Sequence, residues 1–212
     1  MTYSVKEIFY TLQGEGAQSG RAAVFCRFTG CNFWSGREQD RANADCSFCD
    51  TDFIGTDGPG GGKFKTAAAL ADAARVCWDG MADATGTPYI VCTGGEPLMQ
   101  LDSPLITAFQ EKGFEVAVET NGSLPCPPEL DWICVSPKSL DKLVQLTGDE
   151  LKLVYPQTPV TPEDVAHLKF DHFYLQPLDE ASHNHAPAVV TYCQKHPQWK
   201  LSLQTHKILG ID

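Results

Sequence analysis

Long apolar runs are missing from this 212-residue chain. No stretch approaches the roughly eighteen uninterrupted apolar residues of a membrane helix. The opening MTYSVKEIFYTLQGEG has neither the basic start nor the apolar centre of a secretory signal. The expectation is a soluble, cytoplasmic protein with no membrane partner. Positive charge is scarce as well: 16 Lys and Arg stand against 27 Asp and Glu, a formal net charge of −11, with no basic cluster. Phosphate backbones are held by concentrated Lys and Arg, so nucleic acid is not an expected partner. A regular cysteine framework is lacking too. Nine is an odd number, and several cysteines lie inside apolar runs such as VFCRF, YIVCT and WICVS, which suits reduced thiols better than a disulfide-stapled secreted domain. Internal repeats and low-complexity tails are also absent.

What the chain does have is enough apolar material, 42% of residues, for one domain over 1–212. Short β-branched or aromatic runs read as buried parallel strands, apolar on both faces: 22–28, 89–93, 114–119, 132–136, 151–155, 172–176 and 199–204. Helical patterns separate several of them. Residues 66–82 put Leu70, Ala73, Ala74 and Cys77 on one face behind a Thr66 N-cap, 103–113 opens on Ser103-Pro104, and 161–169 opens on Thr161-Pro162. Alternating β and α units imply a parallel α/β sheet with right-handed crossovers, open or curled into a partial (β/α)6-type barrel, since about six units are too few for a full eight-stranded one. The strand exits are polar at Thr93–Glu96, Glu119–Asn121, Ser136–Lys138, Gln176 and Gln204–His206. Ligands bind at strand C-termini in such folds, so these exits are expected to converge on one pocket.

Cys31, Cys46 and Cys49 form a C-x14-C-x2-C pattern that runs into Asp50 and Thr51. A structural zinc site wants four thiolates or imidazoles, and the remaining nearby candidate, Cys26, sits mid-strand. A four-iron cluster held by three cysteines leaves one iron open for another ligand. Spacing alone leaves three readings standing: an open-iron cluster, zinc, or unrelated core cysteines. A second motif, CTGGEPLMQ at 92–100, ends a strand in Gly94 and Gly95, which let a ligand approach the backbone, with Glu96 able to accept from an ammonium group. A plain strand-end turn before Pro97 is the alternative.

Together these motifs resemble the radical S-adenosylmethionine enzymes, whose usual cluster motif is C-x3-C-x2-C and whose GGE stretch receives the methionine amino group. The long insert departs from that spacing. It is similar to the expanded cluster loop of one branch, the 7-carboxy-7-deazaguanine synthases of queuosine and deazapurine biosynthesis. Stretches carrying the resemblance run in order through YTLQGEG (10–16), CRFTGCN (26–32), CDT (49–51), TGGEP (93–97), ETNG (119–122), VSPK (135–138), LQP (175–177) and QTHKILG (204–210).

The resemblance implies a 4Fe-4S cluster on Cys31, Cys46 and Cys49, and S-adenosylmethionine as cosubstrate at Gly94, Gly95, Glu96, Ser136, Lys138 and Gln176. It also implies a carboxylated pterin held by Gln13, Gly14, Glu15, Arg27, Glu119 and Asn121, with Mg2+ near Thr51. Arg27 would offer a planar fork to the carboxylate and the glutamates would accept from the ring N–H edge. The reaction implied is 6-carboxy-5,6,7,8-tetrahydropterin to 7-carboxy-7-deazaguanine with loss of ammonia, by a 5′-deoxyadenosyl radical. A flavodoxin or ferredoxin donor and a homodimer are expected by analogy. Plainer roles remain for some residues: a turn at Ser136 and Lys138, an outward solvated Arg27, a capping Thr51. Rival functions are a radical activase acting on a partner protein and a non-catalytic zinc module.

Other features are read as structural. GTDGPGGGKF (55–64) lacks the Ser or Thr of a phosphate loop and reads as a flexible loop. The HNH at 183–185 reads as a solvated loop, and Cys77, Cys92, Cys126, Cys134 and Cys193 read as packing.

Overall fold

The computed structural model describes residues 2–81, 83 and 85–211. Its strands, in chain order, are β1 (Tyr3–Leu12), β2 (Ala22–Phe28), β3 (Gly62–Phe64), β4 (Tyr89–Gly94), β5 (Glu115–Thr120), β6 (Trp132–Val135), β7 (Thr147–Tyr155), β8 (Lys169–Pro177), β9 (Asp179–Glu180), β10 (His183–Asn184) and β11 (Trp199–Leu201). Nine of them form one sheet in the order β11-β8-β7-β6-β5-β4-β2-β1-β3, and β9 pairs with β10 as a separate hairpin. From β2 to β11 every neighbouring pair is parallel, while β1 runs antiparallel between β2 and β3. The mostly parallel α/β class is as expected, and β11 and β3 stand unpaired to each other at the two ends of the series.

The sheet departs from expectation at its β1 edge. YSVKEIFYTL mixes charge into its apolar positions, which hides its period of two. The cause is a β-bulge between Val5 and Glu7. A bulge inserts one residue and swaps the faces beyond it. Tyr3 and Val5 before it, and Ile8 and Tyr10 after it, all pack in one core cluster, while Glu7, Phe9, Thr11 and Gln13 line the opposite side. The 55–64 segment is pinned rather than loose: Gly58 N donates to Lys6 O, Ile8 N to Pro59 O, and β3 pairs with β1. Likewise His183 and Asn184 belong to the β9–β10 hairpin, with His185 against Glu180 at 2.8 Å.

The helices are α1 (Ala67–Asp79), α2 (Ser103–Glu111), α3 (Pro162–Val165), α4 (Ala186–Lys195) and α5 (Thr205–Leu209). Thr66 caps α1 as expected, by accepting from Ala69 N. The buried face of α1 is Leu70, Ala71, Ala74 and Trp78, one step round from the expected stripe, because the bulky indole takes the core position that the cysteine was given. The expected end of this helix, residue 82, lies outside the described residues. The cap of α2 is Asp102, which accepts from Leu105 N, so Ser103 is already inside the helix. Only Pro162–Val165 of the 161–169 pattern is helical, because β8 begins at Lys169. No helix fills the β5–β6 or β6–β7 connections. Pro125, Pro127, Pro128 and Pro137 in these segments remove the amide donors that a helix interior needs.

The two faces of the sheet differ in chemistry. One is covered by α1 and α2, packed on Val24, Cys26, Phe28, Ile90, Cys92, Val116 and Val118. Leu151, Leu153, Phe173 and Leu175 continue this face beside Val189 of α4. Fully burying each such Leu, Val or Phe stabilises by about 1.5–3 kcal/mol. The alternate residues point the other way. Ala23, Tyr89, Val91 and Ala117 make a small second cluster there, and beyond them the strands turn polar, at Arg27, Thr93, Glu119, Lys152 and Gln176. The central strands β4 and β5 are therefore apolar on both faces over their first residues, as expected, and turn polar on one face only toward their exits.

Candidate active site

Two cavities, of about 370 and about 210 Å³, adjoin on the polar face and share Glu15, Asp50, Thr51, Thr93, Glu119 and Gln204. The expected convergence of strand exits is what builds them. The larger is lined by β1 and the turn after it (Glu7, Phe9, Gln13, Gly14, Glu15), by Phe25 and Arg27 of β2, and by His206 and Lys207 of α5. The smaller is lined by Cys46 and Cys49, Gly94 and Gly95, Thr120 and Asn121, Ser136 and Lys138, Lys152 and Gln176.

In the larger cavity Arg27 projects from the face opposite Cys26, because successive strand residues alternate. Its Nε donates to Glu7 Oε1 at 2.8 Å, and its side chain is 19% exposed. Outward from the helix-covered core is here inward to the cavity, so Arg27 is not simply solvated. Gln13 Nε2 donates to Glu119 Oε1 at 3.2 Å, and Gln13 Oε1 accepts from Glu15 N at 3.2 Å. Gly14 cannot carry a side chain: a Cβ there would meet His206 Nδ1 at 2.2 Å, and its carbonyl accepts from both Thr205 N and Oγ1.

Between the cavities lies a charged knot that the sequence reading missed. Lys152, in the middle of β7, reaches Glu15 Oε2 and Glu119 Oε2, each at 2.8 Å, with its own side chain 5% exposed. Gln176 Nε2 and Gln204 Nε2 donate to the other oxygen of Glu15, at 3.0 and 3.1 Å. Burial pushes the Glu15 carboxyl up, but Lys152, Gln204 and Gln176 outweigh it and hold the group down at about 2. Lys152 is pushed down by burial and held well up by Cys134 and by the Glu119, Glu15 and Glu150 carboxylates around it, so it stays a cation. Glu150, two residues back on the same face, is buried with Oε2 accepting from Ala17 N, and its pKa is raised by burial. A lone lysine inside the apolar run LKLVY was the available signal.

At the smaller cavity the glycine turn fits tightly. Gly94 has φ +151, and a Cβ on it would stand 2.3 Å from Phe28 O; one on Gly95 would stand 2.2 Å from Gly30 O and 2.7 Å from Cys31 Cβ. This contact brings the end of β4 against Cys31. Glu96 is fully buried behind the turn, and its carboxylate accepts from Leu98 N, Thr120 Oγ1 and Asn121 N at 3.0, 2.8 and 2.8 Å. The backbone of Gly94 and Gly95, rather than the Glu96 side chain, faces the cavity. Asn121 Nδ2 turns to Asn32 Oδ1 at 3.0 Å. Lys138 Nζ donates to Ser136 Oγ and lies 5.5 Å over the Phe48 ring, and burial pushes its pKa down.

All nine cysteines are free thiols. The neighbouring Cys46 thiol holds Cys49 low against burial, with Thr51 adding to the effect. Cys31 Sγ accepts from Phe33 N at 3.4 Å. Among the described residues no three Cys, His, Asp or Glu side chains close around a point as the ligands of a single ion would. Sulfurs that hold separate corners of a cluster stand farther apart than that. Cys26, Cys92 and Cys134 are buried in strands, as expected of packing cysteines.

No protein-family model matches the chain. It is 62% identical over 212 residues to the 7-carboxy-7-deazaguanine synthase of Bordetella pertussis and 59% identical to that of Caulobacter vibrioides, each alignment covering the whole of both chains. In fold it is similar to QueE from Escherichia coli, with a TM-score of 0.66 at 24% identity, over 96% of this chain and 94% of that one. A chain that matches end to end at these identities belongs to the 7-carboxy-7-deazaguanine synthase family.

Proposed function

We propose that the two adjoining cavities hold the substrate and the cosubstrate of the family reaction, with this chain acting as a radical S-adenosylmethionine enzyme. It converts 6-carboxy-5,6,7,8-tetrahydropterin to 7-carboxy-7-deazaguanine and ammonia. The observation that carries this reading is the seam: Glu15, Thr51, Thr93 and Glu119 belong to both cavities, so two small molecules bound there would touch. Contact of the reacting groups is what a bimolecular step between bound partners requires.

The donor set fits a 4Fe-4S cluster. Three free thiols leave one iron without a protein ligand, and the smaller cavity beside Cys46 and Cys49 gives that iron's ligand a place. When bound, the cluster and S-adenosylmethionine would supply a 5′-deoxyadenosyl radical able to take one hydrogen atom from the pterin and, since the pterin less ammonia already has the composition of the product, to give one back. The chain holds the parts and excludes water. Gly94 and Gly95 present backbone to the cosubstrate amino group, and Glu96 acts from behind by fixing that turn to the start of the Asn121 loop. Ser136, Lys138 and Gln176 offer further polar contacts.

In the larger cavity Arg27 keeps its Nη pair for the pterin carboxylate while Glu7 holds its Nε. Glu15 stays ionised at neutral pH because Lys152 stays charged, so it accepts from ring N–H groups and does not donate to them. Gln13, Gly14 and Glu119 complete the polar edge there, and Asn121, which lines the smaller cavity, would meet the substrate only across the seam. Thr51, which lines both cavities, would supply a hydroxyl ligand to Mg2+, an ion that keeps most of its waters and takes few protein ligands.

We further propose a single domain, a cytoplasmic homodimer and electron supply by flavodoxin or ferredoxin. No helix is long and apolar enough to cross a membrane among the described residues. An anaerobic assay with reductant, S-adenosylmethionine and the carboxylated pterin tests the reading. It requires 7-carboxy-7-deazaguanine that depends on the pterin, and deoxyadenosine without that product would return the site to an unassigned radical enzyme.

A further inference from the structure

The insert between Cys31 and Cys46 is packed and hydrogen-bonded. Phe33 and Trp34 are buried, and Trp34 stands edge-on to Phe53 with ring centroids 5.6 Å apart. The Trp34 indole N–H donates to Arg37 O at 3.1 Å. At the far end Lys142 pairs with Asp45 at 2.6 Å and lies 5.5 Å over the Phe33 ring. A 3-10 stretch, Glu38–Asn43, then brings Arg41 back across the segment that carries the paired cysteines.

Arg41 makes several contacts with one guanidinium. Its carbon lies 4.1 Å over the Trp34 ring. Its Nε donates to Glu38 at 2.8–2.9 Å. Its Nη1 donates to Ser47 O at 3.0 Å and to Cys49 O at 2.9 Å. Both carbonyls belong to the C-x2-C turn, so a residue of the insert fixes the backbone that presents Cys46 and Cys49. The side chain is 28% exposed, so these bonds are partly shielded from water, while Glu38 is 79% exposed and its countercharge is well screened.

We propose that Arg41 is a positioning residue for the iron-sulfur cluster, holding the 46–49 turn in shape from the insert and placing a positive charge beside the metal. The inference rests on the assignment of Cys31, Cys46 and Cys49 as cluster ligands. Partners of this kind orient ligands and are worth about 10–100-fold in metal affinity. Nearby charge also sets cluster potential, and a cation favours the more negative, reduced state. Only a planar fork can stack on an indole and bridge two carbonyls at once, so lysine is not a substitute.

The test uses anaerobically reconstituted full-length protein as wild type, Arg41→Met, Arg41→Lys and Arg37→Met. Iron per chain, the rate of iron loss to a chelator, the midpoint potential by EPR-monitored titration and the melting of the iron-free proteins are read. Arg41→Met is expected to lose iron about 10–100-fold faster and to shift to a lower potential. Arg41→Lys should keep a potential near wild type while still losing iron faster, and Arg37→Met should match wild type. Wild-type retention and potential in Arg41→Met would overturn the proposal. Should Arg41→Met fail to fold, Arg41→Lys decides: faster iron loss at unchanged potential supports the proposal, and wild-type retention overturns it. A wild type that takes up no iron would instead overturn the ligand assignment beneath it.

Discussion

Lys152 and Glu15 meet in a 2.8 Å ion pair at the seam of the two cavities. Glu15 is held down at about 2 in the folded protein, against an ordinary value of 4.5. A depressed carboxyl contributes stability that is present above the unfolded pKa and is lost as the pH falls through the folded one. The expected outcome is a wild type that loses on the order of 2–3 kcal/mol from this group between about pH 4.5 and pH 2. Glu15→Gln should lack that part of the acid dependence. Urea unfolding of both proteins across the window is the measurement, and parallel curves would show that Glu15 is not depressed. Lys152→Met, which strands Glu15 and Glu119 together, should cost about 3–5 kcal/mol at neutral pH.

Arg27 separates a small-molecule pocket from a protein-activating site. Removing a guanidinium from a desolvated carboxylate leaves that carboxylate unpaired, at a cost of ~2–5 kcal/mol in substrate binding and turnover. Arg27→Ala should therefore lose pterin turnover while still loading iron and cleaving S-adenosylmethionine slowly without substrate. Arg27→Lys should rescue little, because an ammonium does not reproduce the paired N–H geometry. Unchanged steady-state constants for the pterin in Arg27→Ala would remove this residue from the pocket.

Gly94 is expected to tolerate no side chain. Its φ of +151 disfavours any L-residue, and the atom that a Cβ would strike, Phe28 O at 2.3 Å, is backbone in the adjoining strand. Gly94→Ala should lower stability by at least about 1–3 kcal/mol in thermal unfolding. It should also reduce iron loading, since the same turn packs on Cys31. A melting temperature equal to wild type would contradict the tight fit.

Cys26 tests the ligand assignment from the other side. It is fully buried on the helix-covered face, whereas Cys46 and Cys49 open to the opposite one. Cys26→Ala should keep full iron content and lose only about 1 kcal/mol through packing. Replacing Cys31, Cys46 or Cys49 singly should abolish stable iron binding. Iron loss in Cys26→Ala would show that the ligands are wrongly chosen.

The parallel core was legible because its short apolar runs and its polar exits are written locally. Thr93, Glu119, Ser136, Gln176 and Gln204 stand where strands end, and the fold gathers them on adjoining cavities. β1 was not, since a bulge at Lys6 changes which residues share a face and no local pattern records it. Lys152 was hidden for a related reason. A lysine inside an apolar strand looks like an interruption until Glu15 and Glu119, distant in sequence, are seen to neutralise it. Glu96 was legible as a motif residue, but its burial behind the glycine turn depends on Thr120 at the end of β5 and Asn121 just after it. Arg41 carries no motif at all, and its place over Ser47 and Cys49 follows from how the insert packs on Trp34.

The central claim is that a radical formed in the smaller cavity takes hydrogen from a pterin in the larger one. Reconstituted wild-type protein, reduced anaerobically and given S-adenosylmethionine with ring-deuterated 6-carboxy-5,6,7,8-tetrahydropterin, puts it to a direct test by mass spectrometry. The account predicts 7-carboxy-7-deazaguanine together with 5′-deoxyadenosine that has gained deuterium. Deoxyadenosine that stays unlabelled while the product forms, or the absence of that product, would contradict it.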